Sequence, residues 1–121
     1  MRHWIDMARQ RFLIHLSRTE HRVVDPEDIF FVQAQGDESH VRLRGRRLLV
    51  DIRPLGDLEP ILSTAGIIRI HRQHAVNPSR IHIIRKQADG RDWEVKLEPP
   101  VNAVLPVARD RLATLREALG E

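Results

Sequence analysis

The chain has 121 residues and no cysteine, so it is long enough for one domain, and disulfides, thiolate metal sites and cysteine nucleophiles are excluded. Aromatic residues make up 4% of the sequence, so aliphatic side chains must fill most of the core. The formal net charge is +3, no apolar run approaches a membrane-spanning length, and Arg2, Asp6 and Arg9 interrupt the N-terminus, so we expect a soluble cytoplasmic protein.

The excess positive charge lies in one segment. Residues 39–54 contain five arginines and one acidic residue, for a charge of +4, whereas the rest has fifteen Lys and Arg against sixteen Asp and Glu, for −1. A basic segment on a near-neutral body is typical of a surface that binds a polyanion. A general preference for arginine explains the 18 Arg to 2 Lys, but it does not explain the clustering.

The N-terminal part of the sequence predicts short strands. Residues 1–11 predict a linker or a short helix ahead of a domain that spans 12–121. Apolar and β-branched runs at 12–16 and 21–24 predict a first hairpin, and the run at 29–35 predicts a third strand.

A strand with two different faces follows at 39–44. Apolar residues alternate there with polar or cationic ones, so one face is expected to be buried and the other to carry His40, Arg42 and Arg44. A two-residue turn at Gly45 and Arg46 and a returning strand are predicted over 45–52.

Helical spacing of apolar residues predicts one short internal helix between Leu55 and Leu62. Asp57 is placed to cap its N-terminus and Gly66 to end it. Pro60 then falls in the first turn, where its missing N–H costs little.

The most informative stretch is 67–77, in which four consecutive polar residues, His71 to His74, lie between two runs that could be buried. These side chains offer many hydrogen-bond donors, some acceptors and no negative charge. They indicate an anionic partner rich in donors and acceptors, such as a groove of a nucleic acid.

The remainder of the chain predicts further strands and a last helix. A turn at 77–79 precedes a strand at 80–87, and two more strands are predicted at 93–98 and 103–107. Leucines at helical spacing predict a C-terminal helix over 108–119.

Three side chains at strand ends or in loops could read base edges, namely those of His40, Arg72 and Arg109. An arginine can bond O6 and N7 of guanine with two parallel hydrogen bonds, which discriminates by about 1–3 kcal/mol. Phosphate contacts fix the register without reading sequence. The candidates for phosphate contacts are Ser39, Arg42, Arg44, Arg46, Gln73 and His74.

Structural interpretations stand beside these functional ones. Arg109 could be a solvated surface charge, and the arginines of 42–46 could line an exposed sheet face. His71 could be a hydrogen-bonded structural histidine, and Asn77 a turn residue whose side chain satisfies the local backbone.

Several segments resemble those of LytTR-type DNA-binding domains. The run IIRIHRQHAVN at 67–77, followed by Arg80-Ile81, is similar to the family's phenylalanine/valine-arginine-isoleucine-histidine-arginine-serine-tyrosine-valine-asparagine segment. The run LPVAR at 105–109 is similar to its leucine-proline-valine-serine-arginine segment. The other matching segments are 28–34, the strand with Ser39-His40 and the helix at 55–58, so the resemblance covers about residues 12 to 119.

The resemblance implies a mainly β fold, an elongated arrangement of several sheets with one short internal helix and a C-terminal helix. Loops of such a domain enter successive major grooves on one side of the duplex. His40, Arg72 and Arg109 match the family's base-contacting positions. Residues 73–74 stand where a serine and an aromatic residue are usual, and Ala108 where a serine or threonine is usual.

The resemblance also implies the output domain of a bacterial transcription regulator, such as a response regulator of a two-component system. Family members follow a sensor or receiver module and bind paired direct repeats as two copies. We therefore predict sequence-specific binding of double-stranded DNA, with no catalytic residue, cofactor or metal.

Two other functions are weighed against DNA binding. An RNA-binding or protein-interaction module is possible on a small β scaffold, but RNA readers usually present aromatic stacking side chains, which are scarce here. A metal-dependent hydrolase would use His40, His71 and His74. Successive strand residues face opposite ways, however, and no His-Glu-x-x-His motif is present.

Overall fold

The computed structural model describes residues 10–121. Over these residues the chain forms ten β-strands in three antiparallel sheets and two α-helices, with three short 3-10 turns. The predicted mainly β fold with several sheets is confirmed. The linker or helix predicted for 1–11 lies outside the described residues, apart from Gln10 and Arg11.

The elements follow the order in which they were predicted, with one additional strand. The helices are α1 (Leu55–Thr64) and α2 (Leu112–Ala118). The strands are β1 (Phe12–His15), β2 (His21–Val24), β3 (Ile29–Gln35), β4 (Glu38–Leu43), β5 (Leu48–Asp51), β6 (Ile68–His71), β7 (His74–Val76), β8 (Ile81–Lys86), β9 (Trp93–Leu97) and β10 (Val104–Val107).

A five-stranded sheet with the order β5-β4-β3-β7-β6 forms the centre of the fold. Strands β1 and β2 form a separate hairpin, and β10, β9 and β8 form a three-stranded sheet. No helix within residues 10–121 is long and apolar enough to cross a membrane.

The inner face of the central sheet packs on α1 and on the β1–β2 hairpin. Val32 and Val41 lie opposite each other on β3 and β4, and both are fully buried against Leu58 of α1 and Phe12 and Ile14 of β1. This first core is almost entirely aliphatic, as the low aromatic content predicts.

A second core lies between one end of the central sheet, the three-stranded sheet and α2. It contains Phe30, Ile70 and Val76 from the central sheet, Val95 from β9 and Leu115 from α2. The face of the central sheet opposite the first core is its outer face. The second core covers only one end of this outer face and leaves the other end uncovered by core residues.

The connection between β4 and β5 is longer than predicted. The backbone N–H of Leu43 donates to the carbonyl of Arg47 at 2.9 Å, so four residues, 44–47, form the turn instead of two. Gly45 has φ +76, a conformation that glycine adopts at little cost.

Helix α1 begins earlier than predicted. Its N-cap is Pro54, which gives no side-chain cap, and Asp57 lies in the first turn instead of at the cap. Pro60 is therefore inside the helix. Burial of Leu55 and Leu58 in the first core outweighs the local cost of the proline, and Gly66 at φ +84 follows the helix end as predicted.

Candidate nucleic-acid interface

A row of polar side chains crosses the outer face of the central sheet. His40 on β4 lies opposite Gln33 on β3, Gln33 lies opposite His74 on β7, and His74 lies opposite His71 on β6. Register partners on antiparallel strands project from the same face. Three strand spacings of about 4.8 Å make the row roughly 14 Å long, close to the ~12 Å width of the major groove.

The polar stretch at 71–74 is the turn of a hairpin between β6 and β7, and β7 is the strand that was not predicted. Arg72 and Gln73 are exposed at its tip, and neither side chain has a hydrogen bond or ion pair with a described residue. The Nδ1 of His71 accepts from the backbone N–H of Gln73 at 3.1 Å, which confirms the structural interpretation of His71.

Arg69 holds this turn from behind. Its Nε donates to the carbonyl of His71 at 3.2 Å, and its Nη2 donates to the carbonyl of Arg72. Its Nη1 bonds Oε1 of Glu59 on α1 at 3.0 Å. The guanidinium of Arg69 is therefore occupied with the backbone of the turn, and it fixes the position from which Arg72 projects.

Glu59 connects the β6–β7 turn to the segment that carries Arg109. Its second oxygen accepts from Nη1 of Arg111 at 3.4 Å, and the backbone N–H of Ala108 donates to the carbonyl of Ile70 at 2.7 Å. These contacts anchor the 3-10 turn Arg109–Arg111 beside β6.

His71 lines two surface cavities, one together with Arg72 and the other together with Arg109. One surface cavity of about 380 Å³ is lined by residues of both segments, and a neighbouring cavity of about 320 Å³ extends from His71 to Arg109. The residues that line the first cavity are Arg69, His71, Arg72, Ala108, Asp110 and Arg111. The polar row connects His40 to His71, and the two cavities connect His71 to Arg72 and Arg109.

The side chain of Arg109 is 74% exposed, and it is paired with a carboxylate. Its Nε donates to Oδ1 of Asp92 at 2.8 Å, and this hydrogen bond raises the pKa of the guanidinium. Arg109 thus carries its charge on the surface with one side of its guanidinium occupied.

The arginines of the β4–β5 hairpin differ in whether their side chains are available to contact a phosphate. Arg44 bonds Asp28 through Nε at 3.0 Å. Arg42 is half-buried and donates to the carbonyl of Gly45 at 3.3 Å, while its buried Nε has no partner among the described residues. Arg46 is exposed and makes no side-chain contact of this kind with residues 10–121, so it is the candidate most available to a phosphate.

Ser39 does not fit its predicted role as a phosphate contact. It is fully buried, and its hydroxyl donates to the carbonyl of Arg53 at 2.8 Å. On β4 the period-two pattern puts Ser39 on the inner face, opposite to His40, so its hydroxyl is enclosed behind the sheet.

A buried carboxylate lies next to Ser39 and joins the β1–β2 hairpin to the central sheet. Asp51 accepts hydrogen bonds from Nε and Nη2 of Arg53 at 2.9 and 2.8 Å and from the backbone N–H of His15 at 3.0 Å. Burial by itself would raise the pKa of Asp51, but these hydrogen bonds outweigh it and hold the pKa below its usual value. Arg53 is therefore used inside the fold and does not contribute to a DNA-binding surface.

His74 is half-buried beneath the turn, with its ring centroid 5.6 Å from that of His71. Burial lowers the pKa of His74, and the neighbouring His71 adds to this effect. Its buried Nδ1 has no partner in the described part of the chain. A half-buried ring whose neutral form is favoured offers little to a phosphate, so the structure does not fit the predicted phosphate contact of His74.

Asn77 is structural, as its turn interpretation predicts. Its Nδ2 donates to the carbonyl of Ile29 at 3.0 Å, and its Oδ1 accepts from the backbone N–H of Ser79 at 3.1 Å. The side chain ties the start of β3 to the turn that follows β7.

Two features that other functions require are missing from the described residues. Phe12 and Phe30 are buried, and Phe31 and Trp93 pack against the second core, so none of the four rings is exposed as a stacking platform. Among residues 10–121 no group of three or more His, Cys, Asp or Glu side chains is placed to hold a metal ion.

Sequence reasoning missed three residues of this region. Gln33 stands beside His40, and the alternation of β3 could have indicated its outward direction. Glu59 and Asp92 gave no local signal in the sequence. Glu59 is 10 residues from its partner Arg69, and Asp92 is 17 residues from its partner Arg109.

Comparisons with known proteins bear on the family and the fold. Residues 19–120 match the family model of the LytTr DNA-binding domain. The heme-containing CO-sensing transcriptional regulator RcoM 2 of Paraburkholderia xenovorans (strain LB400) is 30% identical over 126 aligned positions, which cover 96% of this chain and 43% of that protein. The chain therefore spans less than half the length of this curated relative.

Among solved structures, the LytTr DNA-binding domain of a Bacillus cereus protein described as a methyl-accepting/DNA response regulator matches with a TM-score of 0.72. The match covers 94% of this chain and 100% of that one at 17% identity, which supports the fold. With the family match over residues 19–120, this chain belongs to the LytTR family of DNA-binding domains of transcription regulators.

Proposed function

We propose that the region bordered by His40, the β6–β7 turn and the β10–α2 junction enters the major groove of double-stranded DNA. Within it, His40, Arg72 and Arg109 read base edges. The observation that carries this proposal is the β6–β7 turn: its backbone is held by Arg69, while the side chain of Arg72 is exposed and has no partner in the described part of the chain. A reading side chain on a fixed backbone loses less conformational freedom on binding.

Phosphate contacts are proposed for a different set of side chains. Arg46 and Gln73 are exposed and have no side-chain partner among residues 10–121, so they can bond phosphates without breaking an existing contact. Arg42 and Arg44 would first have to leave the carbonyl of Gly45 and the carboxylate of Asp28. We assign these two arginines a smaller share of the binding free energy.

We further propose that residues 12–121 act in the cytoplasm as the output domain of a regulator, joined by the first eleven residues to a sensor or receiver module. Two copies would bind paired direct repeats, and the domain would act without catalysis or a cofactor. Support comes from the family match and from the relative, whose name combines sensing with transcriptional regulation and of which this chain covers 43%.

The division into readers and phosphate contacts is tested with a duplex selected by the chain from a random pool. Arg72→Ala should relax preference at particular base pairs, at a cost of about 1–3 kcal/mol there. Arg46→Ala should weaken all duplexes about equally and reduce the slope of log K against log salt by about 1. The proposal fails if the two substitutions change affinity and base preference in the same way.

A further inference from the structure

The pair formed by Arg109 and Asp92 lies at one end of the β9–β10 ladder. Trp93 at the start of β9 is the register partner of Val107 at the end of β10. Asp92 directly precedes Trp93, and Arg109 comes two residues after Val107, so both lie just beyond the same end of the ladder. Their ion pair is therefore set by the sheet register and faces the cavity that also contains His71.

The direction of the hydrogen bond determines which part of the guanidinium remains available. Asp92 accepts from Nε of Arg109 at 2.8 Å, and the two terminal nitrogens make no hydrogen bond with residues 10–121. Guanidinium is planar, so a hydrogen bond at Nε restricts the orientation of the plane and therefore of Nη1 and Nη2. Two parallel donors at that end match O6 and N7 of guanine.

Asp92 is itself held by the turn between β8 and β9. Oδ1 of Asp89 accepts from the backbone N–H groups of Arg91 at 2.8 Å and Asp92 at 3.2 Å. The backbone N–H of Gln87 donates to the carbonyl of Asp92 at 2.7 Å. The backbone hydrogen bonds that close this turn use Asp89 and the main chain of Asp92, and the carboxylate oxygen Oδ1 of Asp92 accepts from Arg109.

Stability does not explain the pair. The side chains of Arg109 and Asp92 are 74% and 33% exposed, and exposed ion pairs contribute little to folding. A carboxylate at a DNA-binding face also repels phosphates, which is a cost in affinity. The remaining consequence of the hydrogen bond between Asp92 and Arg109 is that it orients the side chain of Arg109.

We propose that Asp92 is a positioning residue that presents the terminal nitrogens of Arg109 to a guanine in the major groove. This inference rests on the proposed reading role of Arg109. It extends that role by naming the base and the residue that makes the reading selective.

The test uses the selected duplex and its three variants at the base pair where Arg109→Ala abolishes preference. We expect that pair to be G·C, with wild type preferring it by about tenfold or more over the other three pairs. Asp92→Ala should lose most of this ratio while Arg109 is still present. Asp92→Asn keeps an acceptor and should retain an intermediate ratio. The double variant should have the same ratio as Arg109→Ala alone, because Asp92 acts only through Arg109.

Glu94→Gln is the matched control, because Glu94 pairs with Arg85 at 2.7 Å on the same sheet and its removal takes away one negative charge. It should leave the base preference unchanged. Thermal unfolding of each variant checks that the β8–β9 turn remains folded.

The outcomes separate the inference from the proposal on which it rests. If Arg109→Ala changes preference at no base pair, the reading role of Arg109 is wrong and the inference falls with it. If Arg109→Ala abolishes a preference that Asp92→Ala leaves intact, only the inference is wrong. An equal gain in affinity for all four duplexes in Asp92→Ala would also overturn it, because Asp92 would then be a competitor of DNA.

Discussion

The β4–β5 hairpin and the β6–β7 turn both carry arginine toward the outer face of the central sheet, but they use it differently. In the hairpin, Arg42 and Arg44 bond groups of the protein itself, and Arg53 beyond β5 is enclosed with Asp51. In the turn, the side chain of Arg72 has no hydrogen-bond or ion-pair partner among residues 10–121, while Arg69 behind it holds the backbone. The density of arginine along the sequence is therefore a poor measure of the charge available to DNA.

If the two regions use arginine in these different ways, the largest loss of stability is expected on replacing Asp51. Replacing Asp51 with Ala leaves Arg53 without its buried partner and the backbone N–H of His15 without an acceptor. The free energy of unfolding should fall by about 3–5 kcal/mol, as for other broken buried pairs. Urea denaturation measures this loss.

Asp92→Ala is the matched control for that measurement, since it breaks an arginine–aspartate pair on the surface. Its effect on the free energy of unfolding should stay below about 1 kcal/mol. Equal losses at Asp51 and Asp92 would show that the two arginines are not used differently.

A smaller effect is expected at Glu59, which bonds Arg69 behind the β6–β7 turn and Arg111 beside Arg109. Glu59→Ala should weaken binding to the selected duplex by about 1 kcal/mol, the net value of a lost supporting hydrogen bond. The measurement is a binding isotherm at fixed salt.

Glu98→Ala provides the control for Glu59, because Glu98 also pairs with an arginine, Arg80, at 3.5 Å. Removing its negative charge should strengthen or leave unchanged the binding of a polyanion. If Glu59→Ala also strengthened binding, Glu59 would act only as a charge and would have no role in holding the turn.

The smallest effect concerns His74 and pH. Because burial lowers the pKa of His74 in the folded state, the unfolded chain binds a proton first as the pH falls below about 6.5. The contribution of the neutral ring to the free energy of unfolding is therefore fully present above that pH. It decreases as the pH falls from there to the lower pKa of the folded state. The urea midpoint of the wild-type chain should fall as the pH is lowered from 7.5 to 5.5. In His74→Gln it should fall less steeply.

The residual slope in His74→Gln has a second source in His15, whose pKa is also lowered, first by burial and then by Arg53. An unchanged slope in His74→Gln would contradict the burial of the neutral ring.

Much of the fold could be predicted because its signals are local. Period-two alternation located β4, apolar runs located β1, β2 and β3, and a glycine at positive φ marked the end of α1. The strand β7 was missed, because His74 reads as part of a polar stretch and only its pairing with β3 reveals the hairpin. Pro60 misplaced the start of α1, because burial of its leucines is a tertiary effect.

The candidate site divides in the same way. His40 on β4, Arg72 in the β6–β7 turn and Arg109 after β10 could be selected from pattern and resemblance, and in the structure Arg72 and Arg109 each line a cavity with His71. The contacts that hold these residues in place could not be predicted. Glu59 and Asp92 act through contacts that only folding creates, and the buried hydroxyl of Ser39 depends on the face of β4 to which it points.

The central claim is that one region of the surface, bordered by His40, Arg72 and Arg109, binds the duplex. Titration of the ¹⁵N-labelled chain with its selected duplex tests this directly by NMR. The side-chain Nε–H signals of Arg72 and Arg109 and the backbone signal of His40 should shift most, while Leu13 and Val23 on the β1–β2 hairpin should stay in place. Largest shifts on that hairpin, with Arg72 and Arg109 unmoved, would contradict the account.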